Sequence, residues 1–418
     1  MNIRIFPGKA AGTVKAPPAK SLTHRLLITA ALSDGESRIE NAAFPEDILA
    51  TMECIRTLGK TVRVDGDAFV LSGPGIGRYR WRGETADLHS ARDCEAVPVL
   101  PVRESASTLR FLIPTVLTLG CPVRFTGEER LFRRPLSVYE ELAEREGFRF
   151  EKEAGALLVC GSLRPETYEI PANISSQFIS GLLFALPRLQ GDSMIRLIPP
   201  VESRPYIDMT LSVLEKSGVR TVRLSEEEIL VPGGQEFHGF TETVEGGFSN
   251  GAYLALLNVL GGETEITGLP DETVQGDRVF RAYYKKLQEG FAELDLTDCP
   301  DLGPCMFAAA ASLHGGRFTG TARLRLKESD RCESMQEELK KFGIRCSVED
   351  NSFTVEPGTL AAPREILSGH HDHRVVMALS ALLTVTGGEI GGSEAAAKSY
   401  PEFFEVLKQL GIQWHVTA

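Results

Sequence analysis

Polar turns alternate with nearly continuous apolar stretches along the chain, and the alternation recurs six times. The stretches are AKSLTHRLLITAALSDG, ESASTLRFLIPTVLTLG, NISSQFISGLLFALPRLQG, FSNGAYLALLNVLGG, DLGPCMFAAAASLHGG and DHRVVMALSALLTVTGG. Each opens on a capping-type or charged residue and closes on Gly, which predicts a buried helix with a left-handed stop. A short strand follows each one: SRIENA, VRFTG, MIRLI, TEITGL, RFTGTA or GEIGG. A second helix then follows, this time amphipathic. Ile48, Met52 and Ile55 fall on one helical face, as do Ile207, Leu211 and Leu214, Met335, Leu339 and Phe342, and Phe403, Leu407 and Leu410. Gly59, Gly147, Gly218, Gly290, Gly343 and Gly411 close these second helices.

The copies are unevenly spaced, so looped-out strands fill the gaps and a regular solenoid is excluded. Pro17 and Pro18 break the chain after its first strand, and the loose stretch VPGGQEFHGFTETVEGG separates copies three and four. Three units fall on each side. The expected domains are residues 19–244, and residues 1–18 with 245–418, the first strand completing the domain of copies four to six.

Composition narrows the class. The 418 residues exceed one ordinary domain, and 42% hydrophobic with 24% charged residues describes an ordinary soluble globular protein. A net charge of −12 argues against nucleic acid as a partner, though local Lys and Arg clusters can still bind small anions. No apolar run is long enough to span a membrane. The start, MNIRIFPG, reads as a strand rather than a signal peptide. Cys54, Cys94, Cys121, Cys160, Cys299, Cys305, Cys332 and Cys346 form no CxxC pair. They read as free buried thiols, which suits the cytoplasm.

Candidate chemistry gathers at the helix starts: Lys20, Ser21 and Arg25; Arg110 within copy two; Ser175, Ser176 and Gln177; Asp301; and Asp372, His373 and Arg374. Each alone has a plain reading as a cap or a surface ion pair. Together, at equivalent positions, they offer several helix N-termini to a polyanionic ligand. Lys327-Glu328-Ser329-Asp330-Arg331 opens the amphipathic helix of copy five; alone, it reads as a solvated helix start.

In order along the chain, PGKAAGTVKAPPAKSLTHR, ESASTLRFL, EERLFRRP, SSQF, SRPYID, PDLGPCMF, KESDR, DHR and AAAKSYPEFFE resemble the motifs of the 5-enolpyruvylshikimate-3-phosphate synthases. The resemblance implies a two-domain inside-out α/β barrel, each domain three βαβαββ-type units, closing like a clamp on a site in the cleft between them. It implies addition–elimination between phosphoenolpyruvate and the 5-hydroxyl of shikimate 3-phosphate, with no metal or organic cofactor and a monomeric enzyme. Asp301, Glu328 and Lys20 match catalytic positions. Lys20, Ser21, Arg25, Ser175, Ser176, Gln177, Ser203, Tyr206, Asp301 and Lys327 match positions that hold shikimate 3-phosphate. Lys20, Ala106, Arg130, Gln177, Arg331, Arg374 and Lys398 match positions that hold phosphoenolpyruvate.

Two departures stand out. Gly247 replaces a residue that is often acidic, and Ala106 replaces the usual Gly, which resembles glyphosate-tolerant members and implies weak glyphosate binding. The alternatives are the UDP-N-acetylglucosamine enolpyruvyl transferases and a non-catalytic binding relative. The first carries a reactive Cys where TGEERLFRRP has none, and the second is expected to have lost a carboxylate or the basic cluster.

Overall fold

The computed structural model describes residues 1–76 and 97–417; Cys94 lies outside them. The chain divides into two compact units, Lys20–Val244 and Met1–Ala19 with Glu245–Ala418.

In the Lys20–Val244 unit the helices are α1 (Lys20–Leu32), α2 (Glu46–Thr57), α3 (Ala106–Val116), the single turn α4 (Glu129–Phe132), α5 (Ser137–Glu146), α6 (Ser176–Ala185) and α7 (Arg204–Lys216). The other unit holds α8 (Phe248–Val259), α9 (Phe280–Glu289), α10 (Gly303–Ser312), α11 (Arg331–Lys341), α12 (His373–Thr386) and α13 (Phe403–Gln409). The six stretches singled out by their apolar content are α1, α3, α6, α8, α10 and α12. In α10 every residue from Gly303 to Ala311 is buried, and in α12 every residue from His373 to Thr384. A helix apolar on all sides must lie inside. The amphipathic helices α2, α5, α7, α9, α11 and α13 bury one face each.

The strands form five four-stranded sheets and one two-stranded sheet, and no closed barrel occurs among the described residues. One unit reads strand Val99–Arg103, α3, strand Val123–Gly127, α5, then the hairpin Arg149–Glu153 and Ala156–Cys160. Its sheet pairs the first two strands in parallel and the hairpin antiparallel. The same strand, helix, strand, helix, hairpin order serves the sheet of Thr167–Pro171, Ser193–Ile198, Glu228–Val231 and Val222–Arg223. The loose stretch before copy four is not wholly irregular. Its Thr241–Thr243 pairs in parallel with Ser37–Glu40 and completes the first sheet. Asn2–Ile5 enters between Gly388–Gly391 and Trp414–Val416, and Ala11–Lys15 pairs in parallel with Glu263–Thr267.

Local chemistry explains the tight points. Gly59, Gly147, Gly218, Gly343 and Gly411 have φ of 95°, 74°, 84°, 81° and 91°, the left-handed stops expected after amphipathic helices. Gly290, at φ 159°, closes α9 in an extended conformation instead. Pro114 lies inside α3 and has no N–H to give Arg110. The Tyr139 hydroxyl donates to that carbonyl at 2.7 Å, replacing the missing bond. A buried carbonyl left unpaired would cost about 1–3 kcal/mol. In α7 the buried residues are Ile207, Met209, Thr210, Val213 and Leu214, with Leu211 half-buried. The face turns towards Thr210 because its hydroxyl accepts from the buried Arg25.

The seven described cysteines are free thiols; Cys121 and Cys346 are half-buried and the rest buried. No described helix is long and apolar enough to cross a membrane.

Candidate active site

In the Lys20–Val244 unit, helix starts carry the polar groups. Ser105 caps α3 by accepting from Thr108 N–H, and Ser175 caps α6 by accepting from Gln177 N–H. Gln177 joins the two starts: its Nε2 donates to Ser107 Oγ at 2.9 Å, and its Oε1 accepts from Arg110 Nη1 at 2.8 Å. Ala106, the first residue of α3, is buried beside these groups. Arg130, on α4, pairs with Glu104, which flanks Ser105. Lys20 pairs with Asp47 of α2 at 2.9 Å.

Arg25 is buried, and its donors meet protein acceptors: Thr210 Oγ1 at 2.8 Å, Ser21 O at 2.8 Å, Tyr206 O at 3.0 Å and Ser180 Oγ at 3.3 Å. Burial lowers its pKa to about 10, against the opposing influence of Tyr206. It thereby ties α1 to α6 and α7. Ser176 opens α6, and Ser203 precedes α7 with φ 57°, its hydroxyl leaving that helix uncapped.

The other unit holds a denser cluster. Asp301 sits in the short turn before α10, and its carboxylate does not cap the helix. Oδ1 meets Arg331 Nη1 at 3.0 Å and Lys327 Nζ at 3.5 Å, while Oδ2 meets Arg374 Nη2 at 3.2 Å. Arg331 also reaches Glu328 Oε2 at 2.8 Å and Asp372 Oδ2 at 2.9 Å. Asp372 caps α12 by accepting from Arg374 N–H at 2.8 Å. Arg374 Nη1 donates to Asn250 Oδ1 of α8 at 3.2 Å, and its guanidinium lies 5.6 Å from the Tyr253 ring centre. The starts of α8, α10, α11 and α12 thus converge. Helix N-termini and fixed cations in one place suit an anion.

KESDR and DHR are therefore not solvated surface runs. The side chains of Arg331 and Asp372 are 1% and 0% exposed, while Asp301 and Glu328, at 22% and 25%, stay reachable. Burial opposes ionisation of Asp301, but Lys327, Arg374 and Arg331 outweigh it and hold the carboxyl well below the usual carboxylate range. Burial also pushes the Lys327 ammonium down to about 8; Asp301 opposes this, and Arg331 and Arg323 reinforce it. Lys398 Nζ donates to His371 O at 2.8 Å, next to Asp372 in the chain.

Gly247, one of the two departures from the motifs, precedes α8. An added Cβ would lie 3.1 Å from Ala19 Cα and 3.3 Å from Pro17 O. Gln275 Oε1 instead accepts from Phe248 N–H at 2.9 Å and caps the helix from outside it. The motifs did not single out Asp47, Ser107 or Asn250. Each is an ordinary polar residue near a helix start, and only its partner marks it.

The family model described as EPSP synthase (3-phosphoshikimate 1-carboxyvinyltransferase) matches residues 6–407. The chain belongs to the EPSP synthase family. The 3-phosphoshikimate 1-carboxyvinyltransferase of Clostridium kluyveri is 34% identical, over 98% of this chain and 97% of its own length. That of Clostridium perfringens is 35% identical, over 98% of each. A solved EPSP synthase from Acinetobacter baumannii superposes with TM-score 0.77 at 21% identity, covering 99% of this chain and 100% of that one. At that identity it supports the EPSP synthase fold alone, and a second structure agrees at TM-score 0.78 and 20% identity.

Proposed function

We propose that the protein transfers the enolpyruvyl group of phosphoenolpyruvate to the 5-hydroxyl of shikimate 3-phosphate and releases phosphate. The observation that carries this reading is the Asp301 cluster: two reachable carboxylates share one buried guanidinium, beside further cations at converging helix starts. Addition needs a base at the attacking hydroxyl and an acid at C3 of the donor. The oxygen–C2 bond forms as C3 gains a proton; C3 then loses a proton as phosphate leaves C2.

Asp301, with Lys20, takes the hydroxyl proton, and Glu328 delivers one to C3. A carboxylate held so acidic by cations is a weak base. A donor bearing carboxylate and phosphate competes with Asp301 and Glu328 for Arg331 and Arg374. As it draws those cations away, Asp301 becomes a stronger base. Arg130, Gln177, Lys398 and the Ala106 backbone complete the donor's contacts. Ser21, Arg25, Ser175, Ser176, Gln177, Ser203, Tyr206 and Lys327 hold shikimate 3-phosphate. Arg25 does so largely by setting Ser21 and Tyr206, since its own donors are engaged within the protein.

In this reading the enzyme is monomeric and cytoplasmic. The Ala106 methyl makes it less sensitive to glyphosate. The experiment is phosphate release from phosphoenolpyruvate by purified protein. Release that requires shikimate 3-phosphate is expected; none, or release indifferent to it, overturns the reading.

A further inference from the structure

We infer that Glu338, a buried carboxylate outside the proposed contacts, is a positioning residue for the Asp372–Arg374 segment and Lys398. Glu338 lies on α11, two turns beyond Arg331. A separation of seven residues returns to the same helix face, so α11 grips one neighbouring segment at two points. At its first residue, Arg331 Nε holds Asp372 Oδ2 at 2.9 Å. Two turns on, Glu338 Oε2 accepts from Ser368 N–H at 3.0 Å, and Oε1 lies 3.0 Å from His370 Nε2. Lys341 Nζ donates to both oxygens, at 2.9 Å and 3.0 Å.

The segment between these grips is strained. His370 and His371 are consecutive non-glycine residues with φ of 47° and 55°, in the left-handed region that side chains disfavour. Such a conformation persists only where the surroundings over-determine it. Gly369 preceding them has no room for a side chain: an added Cβ would lie 2.5 Å from Val376 Cγ2. The strained turn has two outputs. Its end sets Asp372, the cap of α12, and hence Arg374. Its His371 carbonyl seats Lys398 Nζ at 2.8 Å.

Glu337, Glu338 and His370 do bring ligand atoms within 4.8 Å of one another. Both Glu338 oxygens are nevertheless engaged by Lys341, and Ser368 and His370 take one each, so a cation would have to displace an ammonium. The group reads as an internal brace.

This inference rests on the proposed assignment of Arg331, Arg374 and Lys398 to phosphoenolpyruvate. Full-length wild type, Glu338→Ala, Glu338→Gln and His370→Ala are compared in steady state, each substrate being varied with the other saturating. Misplacement of anion-holding groups predicts a KM for phosphoenolpyruvate raised about tenfold or more in Glu338→Ala, with the KM for shikimate 3-phosphate nearly unchanged. Glu338→Gln keeps an acceptor for Ser368 N–H and recovers most of the loss. If Glu338→Ala does not accumulate as folded protein, His370→Ala carries the test, because it leaves the Lys341 pair intact. A rise of about threefold or more is then expected. Folded variants with an unchanged phosphoenolpyruvate KM, or with only kcat lowered, overturn the inference. An inactive wild type overturns the proposed function and this inference with it.

Discussion

Arg331 and Asp372 form a pair with almost no solvent contact: the guanidinium Nε lies 2.9 Å from the Asp372 carboxylate, with side-chain exposures of 1% and 0%. The same guanidinium extends to Asp301 and Glu328. One buried cation therefore aligns a helix cap with both proposed catalytic carboxylates. Removing a single partner from such a pair leaves an uncompensated buried charge. Arg331→Met is expected to lower stability by about 3–5 kcal/mol. Urea unfolding monitored by circular dichroism checks this; a midpoint equal to the wild type contradicts it.

The division of duties between the carboxylates predicts different losses. Asp301→Ala and Glu328→Gln each lower kcat by about 10²–10⁴-fold. Glu328→Gln leaves shikimate 3-phosphate affinity nearly intact, because its partner in the cluster is Arg331. Titration calorimetry alongside turnover checks both parts. Retention of most activity by either variant breaks the assignment.

Lys327 supplies a pH dependence of known sign. Its folded pKa is lowered to about 8, so its charge is present below that pH and lost above it. The value of kcat/KM reports groups of the free enzyme. For shikimate 3-phosphate it should fall as pH rises through about 8. Lys327→Arg keeps its charge throughout this range and should flatten the fall. An identical alkaline limb in both proteins contradicts the assignment.

Ala106 bears on inhibition. It opens α3 beside Ser105 and Ser107, among buried groups. In the proposed reading this methyl lies where backbone nears the donor and obstructs the longer glyphosate more than phosphoenolpyruvate, so discrimination arises by clash. Ala106→Gly should lower the glyphosate inhibition constant relative to the phosphoenolpyruvate KM. Potent inhibition of the unmodified protein, unchanged by the Gly substitution, sinks the idea.

Much of this organisation was legible because it is local. An all-apolar stretch such as MFAAAA can only be an inner helix, and Gly59 or Gly343 marks a stop through its own backbone. What was not legible depends on partners distant in sequence. Taken alone, Asp301 reads as a helix cap, yet its carboxylate turns to Arg331 and Arg374, 30 and 73 residues away. Taken alone, KESDR reads as a solvated run, yet among the described residues Arg331 is the largest fully buried side chain. Thr241–Thr243 lies in a Gly-rich stretch whose three-residue strand forms only because Ser37–Glu40 offers an edge. Asn250 and Glu338 carry no motif, and only the groups they hold reveal them.

The central claim is addition followed by elimination at the Asp301–Glu328 cluster. Proton NMR of both substrates with the enzyme in D₂O tests it most directly. Addition makes C3 a transient methyl group, and elimination removes any of its three hydrogens. The account predicts loss of the vinyl proton signals through deuterium uptake, together with phosphate release, only when shikimate 3-phosphate is present, and both slowed by about 10²–10⁴-fold in Glu328→Gln. Phosphate release with fully protonated vinyl groups, or uptake undiminished in Glu328→Gln, would contradict it.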